Sequence, residues 1–281
     1  MTYRDKYLEL LKIKNQYINN TVIKTLLMDD GGYKDFTDLI IHFHDEIKNE
    51  KRVNDNLKRI MDGEPMQYVL GYAYFVNSNY IVTPDVLIPR QETEQLVLNT
   101  AKLIKNTFNK DNLKIIDVCT GSGCIGISLA HIFDNASVTL SDISCEAIEA
   151  ANKNIEEHEL SNVSVVQGDM LEPFINNDFK VDVIVCNPPY IENESTIDKK
   201  TWKQEPHLAL LAKPGTLFYE KVLKDYLKIV NDTYLICFEI GEDLETPLTA
   251  LVNKYCKGCS FYFEKDMYDR TRFLYIKGKK E

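Results

Sequence analysis

The chain has 281 residues, 44% hydrophobic and 27% charged, a balance that excludes a disordered, collagen-like or disulfide-stapled protein. Its 33 Lys+Arg against 43 Asp+Glu leave a net charge of -10, the opposite of what general gripping of nucleic-acid phosphates requires. No run reaches the ~20 apolar residues of a membrane span, and Met1-Thr2-Tyr3-Arg4-Asp5-Lys6 lacks the apolar centre of a signal peptide. Seven cysteines (Cys119, Cys124, Cys145, Cys186, Cys237, Cys256 and Cys259) are scattered, several of them in apolar strand-like runs where reduced thiols pack as small hydrophobes. A cytoplasmic protein that binds no membrane is expected.

At ~150 residues per domain the length suggests about two domains. Residues 1–70 read as a small helical domain. Leu8, Leu11, Ile18, Val22, Ile23, Leu26 and Leu27 give a helical segment broken at Asp29-Asp30-Gly31-Gly32. Phe36, Leu39, Ile40, Phe43 and Ile47 then predict one face of a further helix. Residues 71–92 form a linker with a β-hairpin, its strands Tyr72–Phe75 and Tyr80–Val82 flanking turn residues 76–79.

From 93 to 281 helices and strands alternate. A helix is predicted over Thr93–Phe108. Strands follow at Lys114–Val118, Val138–Ser141, Val163–Val166 and Val181–Cys186, with helices at Ile125–Ile132 and Cys145–His158. Such alternation implies βαβ units, hence an α/β fold with a mostly parallel sheet. Later strands at Tyr234–Glu239, Ser260–Glu264 and Phe273–Ile276 include two close enough to pair antiparallel, so the sheet should end in an antiparallel C-terminal strand.

The first strand runs into Asp117-Val-Cys-Thr-Gly-Ser-Gly123, a glycine-bearing turn that lets a ligand approach backbone amides at a helix start. About 20 residues on, Asp142 ends the second strand, where an acid can accept from both ribose hydroxyls. A plain tight turn with a capping Asp would show the same residues. The fourth strand ends in Asn187-Pro188-Pro189-Tyr190, a sharper signal. Two prolines hold the backbone extended and donate nothing. The Asn187 carbonyl, the Pro188 carbonyl and the Asn187 side-chain oxygen can therefore converge as acceptors on a planar amino group, with Tyr190 as a face to stack on. A ribose site beside an amino-group site describes S-adenosylmethionine-dependent methylation of a planar nitrogen.

These stretches resemble Rossmann-like methyltransferases acting on amides or exocyclic amines. Pro65-Met-Gln-Tyr-Val-Leu-Gly71, Phe75 and Val86-Leu-Ile-Pro-Arg-Gln-Glu-Thr-Glu94 narrow the resemblance to the release-factor glutamine methyltransferases (the PrmC, or HemK, family). Glu205-Pro-His-Leu-Ala-Leu210, Phe238-Glu-Ile-Gly241 and Lys265-Asp-Met-Tyr-Asp-Arg-Thr-Arg272 match that family too. The resemblance runs from about Gly63 to Lys277. It implies that S-adenosyl-L-methionine lies against Cys119, Thr120, Gly121, Ser122 and Gly123, with Asp142 on its ribose, Met170 on its adenine, and Asn187 beside it. It implies that Asn187, Pro188, Pro189 and Tyr190 hold the substrate glutamine, with Asn187, Pro188 and Tyr190 bearing the catalysis. The implied partner is a peptide chain release factor, met at the glutamine of its Gly-Gly-Gln loop by a monomeric enzyme whose helical N-terminus recognises it. No metal and no direct nucleic-acid binding are implied. Cys119 stands where the family usually has glycine and is expected to alter the turn, because cysteine adopts a positive φ at a cost. Met170 stands where an aromatic residue is frequent.

An amide nitrogen is a poor nucleophile, so the enzyme's task is position and electrostatics, where holding reactants in line can supply ~7–11 kcal/mol. Methylation of a ribosomal-protein glutamine, methylation of an exocyclic amine of nucleic acid, and a binding module without catalysis stay open as alternatives. Arg90, Glu92 and Glu94 either border the site or form a solvated helix start with acids favoured by the dipole. Cys256-Lys-Gly-Cys259 lacks a second pair for a zinc site. His42, His44, His131, His158 and His207 show no metal-ligand spacing, and His42 and His44 are expected to face solvent.

Overall fold

The computed structural model describes residues 1–280, which divide into one unit over Met1–Tyr72 and a second from Ala73 onward. In the first, polar caps start the helices. Thr2, Asn19, Asp35 and Asn49 each accept a backbone N–H of the first turn and open α1 (Tyr3–Leu10), α2 (Asn20–Gly31), α3 (Phe36–Ile41) and α4 (Glu50–Met61). A short α5 (Met66–Leu70) follows. Leu10, Ile23, Leu26, Leu27, Leu39, Val53 and Ile60 form the core of this unit. Asp30, buried in α2, accepts from the Tyr3 hydroxyl at 2.8 Å and from the Lys48 and Asn49 amides at 3.0 Å each. Every donor it needs comes from its own unit.

Two expectations for this unit change. The Leu8–Leu27 segment is two helices rather than one, with Leu8 and Leu11 exposed, because Asn19 caps a fresh start. The face built on Phe36 stops early: α3 ends at Ile41 and leaves Ile40 exposed. Tighter bonds, Phe43 N–H to Ile40 carbonyl and Asp45 N–H to His42 carbonyl, turn the chain there and bring Phe43 and Ile47 back against the core. His42 is stacked on Tyr33 with ring centroids 4.8 Å apart, so it is not simply solvated.

The hairpin pairs β1 (Tyr72–Phe75) with β2 (Ser78–Ile81) through Val76 and Asn77, both at positive φ (42° and 65°). That two-residue turn matches strand twist, so β2 begins at Ser78, inside the stretch expected to be turn. Then come α6 (Gln91–Thr107), β3 (Lys114–Val118), α7 (Cys124–Ile132), β4 (Ser137–Asp142), α8 (Cys145–Glu157) and β5 (Val163–Gln167). After α9 (Glu172–Asn176), β6 (Val181–Cys186), α10 (Lys199–Gln204) and α11 (Leu217–Asp225), the chain closes with β7 (Val230–Glu239), α12 (Glu245–Tyr255), β8 (Ser260–Lys265) and β9 (Thr271–Lys279).

The seven strands lie in the order β5-β4-β3-β6-β7-β9-β8, and β9 alone runs opposite to the other six. Alternate residues of the central strands serve two cores. Ile115, Val183, Val185 and Leu235 pack on one face, Ile116, Val118, Ile184 and Ile236 on the other. The order reverses between β3 and β6, which opens a crevice at their C-terminal ends, the place where such sheets bind ligands. On the α7 side, His131 Nε2 meets His158 Nδ1 at 2.9 Å, and His158 Nε2 donates to the Asn79 carbonyl at 3.0 Å, tying α8 to the hairpin. No helix among the described residues is long and apolar enough to cross a membrane.

Candidate active site

The turn after β3 is shaped by Asp117. Its buried Oδ2 accepts from the Thr120 hydroxyl at 2.5 Å and from the Gly126 amide at 2.9 Å, which clamps the loop onto the start of α7. Burial pushes this carboxyl up to about 7. Gly126 permits the clamp, since a Cβ there would come within 2.1 Å of Leu140 Cδ2. Gly121 (φ +55°) has open space where its Cβ would be, so the loop leaves its backbone uncovered.

Cys119 takes the left-handed conformation itself, at φ +60°. The cost, ~1–2 kcal/mol for a residue with a Cβ, is borne by neighbours: the Thr120 amide donates to the Ser141 carbonyl at 3.0 Å. Met170 is also left-handed (φ +51°), and its Sδ lies 3.6 Å from Cys119 Sγ. Strain of this kind concentrates where a ligand is held.

Asp142 ends β4 with its carboxylate oriented by two amides, Gly121 N–H to Oδ2 at 2.9 Å and Ser144 N–H to Oδ1 at 3.0 Å. Burial raises its pKa while those amides favour the charge. The Ile143 amide adds a third bond, and the two oxygens still hold lone pairs for further donors.

Beyond these residues lies a cavity of about 340 Å³. Of the residues singled out in the sequence, Cys119, Gly121, Asp142, Met170, Asn187 and Pro189 line it together. Thr120, Ser122, Gly123, Pro188 and Tyr190 stand behind that wall. Thr120 bonds Asp117, the Ser122 carbonyl accepts from Asn154 at 2.7 Å, and Gly123 (φ +84°) opens α7 against Ile127 and Leu140. The charged lining is Asp85, Asp142, Glu146 and Asp169 against Lys221, which is itself paired with Asp169 at 2.5 Å. Such a wall suits a cationic ligand and offers little to a pyrophosphate.

At the end of β6, Asn187 Nδ2 donates to Thr93 Oγ1 at 3.3 Å, and Thr93 donates to Glu239 Oε2 at 2.7 Å. Glu239 is buried, and burial pushes its carboxyl up to about 7. Tyr190 packs against Gly241, where a Cβ would sit 3.1 Å from its Cδ2, and burial pushes its phenol up to about 12. The Pro206–Ala209 part of the wall follows Glu205, a buried acid bonded to Arg90 at 2.6 Å and to the Ile88 amide at 3.3 Å.

Arg90 therefore belongs to the scaffold of the site through Glu205, and is not a solvated helix start. Thr93, Glu205 and Glu239 carried no sign of these roles in the sequence, although each lies in a stretch quoted for the family resemblance. Their partners are 94 to 146 positions away. Phe218 and Lys221, one turn apart on α11, likewise reach the cavity without a local signal.

Strand order, a switch-point cavity with an acid on the second strand, and an Asn-Pro-Pro-Tyr turn after the fourth define a Rossmann-like methyltransferase. The Methyltransferase small domain model matches residues 94–218. A ribosomal protein L11 methylase from Lactobacillus delbrueckii subsp. bulgaricus shares the fold, with a TM-score of 0.50 at 19% identity over 71% of this chain and 84% of that one. The release factor glutamine methyltransferase of Mycoplasma mycoides subsp. mycoides is 35% identical over 275 residues, 95% of this chain and 96% of its own. That of Bacillus subtilis is 35% identical over 234 residues, 82% and 80% of the two chains. The chain belongs to the release factor glutamine methyltransferase family.

Proposed function

We propose that this protein transfers a methyl group from S-adenosyl-L-methionine to the side-chain amide nitrogen of the glutamine in the Gly-Gly-Gln motif of peptide chain release factors. The observation that carries the reading is Asn187: an oriented carboxamide at the rim of an acid-lined cavity, in a chain colinear with relatives of that name. The cofactor, a sulfonium cation, supplies an electrophilic methyl group when bound. The residues present suit it, because Asp142 offers two acceptor oxygens to a diol and the remaining acids favour the positive charge. Cys119, Gly121, Met170 and Asp142 contact it, and Thr120, Ser122 and Gly123 keep the loop in shape.

On the substrate side Asn187 Oδ1 and the Asn187 and Pro188 carbonyls are the acceptors for a primary amide. Two acceptors on its N–H bonds orient the nitrogen and favour the positive charge it gains. Pro188 and Pro189 keep those carbonyls from folding back, and Tyr190 backs the rim. No strong base is needed at the start, since the proton leaves a nitrogen made acidic by the transfer. The protein acts as a cytoplasmic monomer, and residues 1–70 recognise the release factor.

Transfer of labelled methyl groups to purified release factor, to its Gln→Ala loop variant and to unmethylated DNA tests the reading. Label on the release factor and not on the variant is expected. Label on DNA alone, or on neither protein while cofactor binds, overturns it.

A further inference from the structure

The acceptor role of Asn187 has a requirement that its own position in the chain does not meet. A carboxamide carries an acceptor oxygen and a donor nitrogen of almost the same shape. Turned by half a revolution, Asn187 would present N–H bonds to a substrate that also brings N–H bonds. Something must choose the orientation. Thr93 has one hydroxyl proton, and Glu239 Oε2 takes it at 2.7 Å. Toward Asn187, 3.3 Å away, Thr93 can then only accept, so the atom facing it must be Nδ2. Oδ1 is left as the acceptor.

We propose that Glu239, acting with Thr93, is a positioning residue that locks the Asn187 side chain with its oxygen as the acceptor for the substrate amide. This rests on the methylation of a planar amide nitrogen proposed above. The relay is buried: Thr93 and Glu239 are each 3% exposed. Thr93 sits in the first turn of α6 and Glu239 at the end of β7, so the lock joins a helix and a strand packed against each other beside β6.

The relay has a polarity that depends on charge. Ionised, Glu239 can only accept and the chain of donors runs from Asn187 to Glu239. Protonated, it can donate to Thr93, whose own proton is then free to turn to Asn187 and favours Oδ1 in place of Nδ2. Burial pushes the Glu239 carboxyl up to about 7, so this change falls in an accessible range. Around it, Arg272 of β9 favours the charge and Glu92 of α6 opposes it. Tyr190, Tyr219 and Cys124 also face it, and burial raises all three, so they stay neutral there. Turnover should therefore be present above about pH 7 and fall as the pH drops through the Glu239 pKa.

The test needs one readout without substrate. In the free enzyme labelled with nitrogen-15 at asparagine, the Asn187 side-chain NH2 resonances should titrate with a midpoint near 7, and Glu239→Gln should abolish that titration. In turnover, Thr93→Val should lower kcat about tenfold or more while the KM for cofactor stays within about twofold, and Thr93→Ser should recover most of the loss. Resonances of Asn187 that stay flat across that range, or an acid limb of kcat that persists in Glu239→Gln, overturn the proposal. Should Thr93→Val not fold, the Glu239→Gln titration and pH profile decide. If the wild-type enzyme labels no release factor, the functional reading falls, yet the Asn187 titration still decides the relay.

Discussion

Two strand ends meet at the cavity and are held in opposite ways. The loop after β3 is clamped within itself, Asp117 bonding Thr120 three positions on and Gly126 nine positions on, and it is tied to Ser141 and Asp142 of the adjoining strand and to Asn154 of α8. The turn after β6 has rigid prolines but no local partner for its working side chain. Asn187 depends on Thr93 and on Glu239, which bonds both side chains. The loop after β3 is thus held mainly by its own residues and its adjoining elements, whereas the turn after β6 is a short motif whose side chain is oriented by distant chain. A methyl donor needs a preformed pocket, which local bonds can supply. An acceptor needs a defined orientation of one amide, and only atoms arriving from other elements can specify that.

Substitutions on each side should separate these roles. The largest effect is expected from Asn187→Ala, which removes a preorganised acceptor and should cost on the order of 10²–10³ in kcat with cofactor affinity nearly unchanged. Near-normal turnover would break the assignment of the acceptor side. Next, Asp142→Ala removes the diol acceptor and should weaken cofactor binding by roughly ten- to a hundredfold, the worth of ~1.5–3 kcal/mol for bonds to a charged group. Calorimetric titration with S-adenosylhomocysteine checks this, and an unchanged Kd would remove Asp142 from the site.

Gly126→Ala should then test the loop's self-support. The new methyl group would overlap Leu140 at 2.1 Å, in a core that cannot open without loosening the Asp117 clamp. A loss of ~1–3 kcal/mol in denaturant unfolding is expected, and wild-type stability would mean the helix start has room to shift. The smallest change, Cys119→Gly, should act in the other direction. Glycine relieves the left-handed penalty of ~1 kcal/mol but gives up the contact with Met170, so a rise of a few tenths to about 1 kcal/mol in unfolding free energy is expected. A fall would show that the two sulfur atoms hold the loop more than the strain loosens it.

Legibility followed the range of the interactions involved. Both β3 and β6 begin and end where the apolar runs did, because buried parallel strands are written as unbroken β-branched stretches. The hairpin was legible but its turn was not, since Val76 and Asn77 are an unusual pair for a two-residue mirror-image turn. In the helical unit the apolar spacing continued through the end of α3, because periodicity records which residues can share a face and not whether the backbone stays helical. The cavity residues Asp142 and Asn187 were readable from strand-end motifs. Thr93, Glu205 and Glu239 were not, as a threonine in a first turn or a glutamate at a strand end is ordinary by itself.

The sequence by itself determined the α/β order, the glycine-bearing turn after β3 and the Asn187-Pro188-Pro189-Tyr190 turn after β6, all of which rest on neighbours within a few residues and on the fixed geometry of proline and glycine. Tertiary structure alone decided which of those residues face the cavity, that Arg90 serves Glu205, and which way the Asn187 amide is turned. Those outcomes depend on where a buried donor finds its acceptor, and Thr93 and Glu239 lie 146 positions apart.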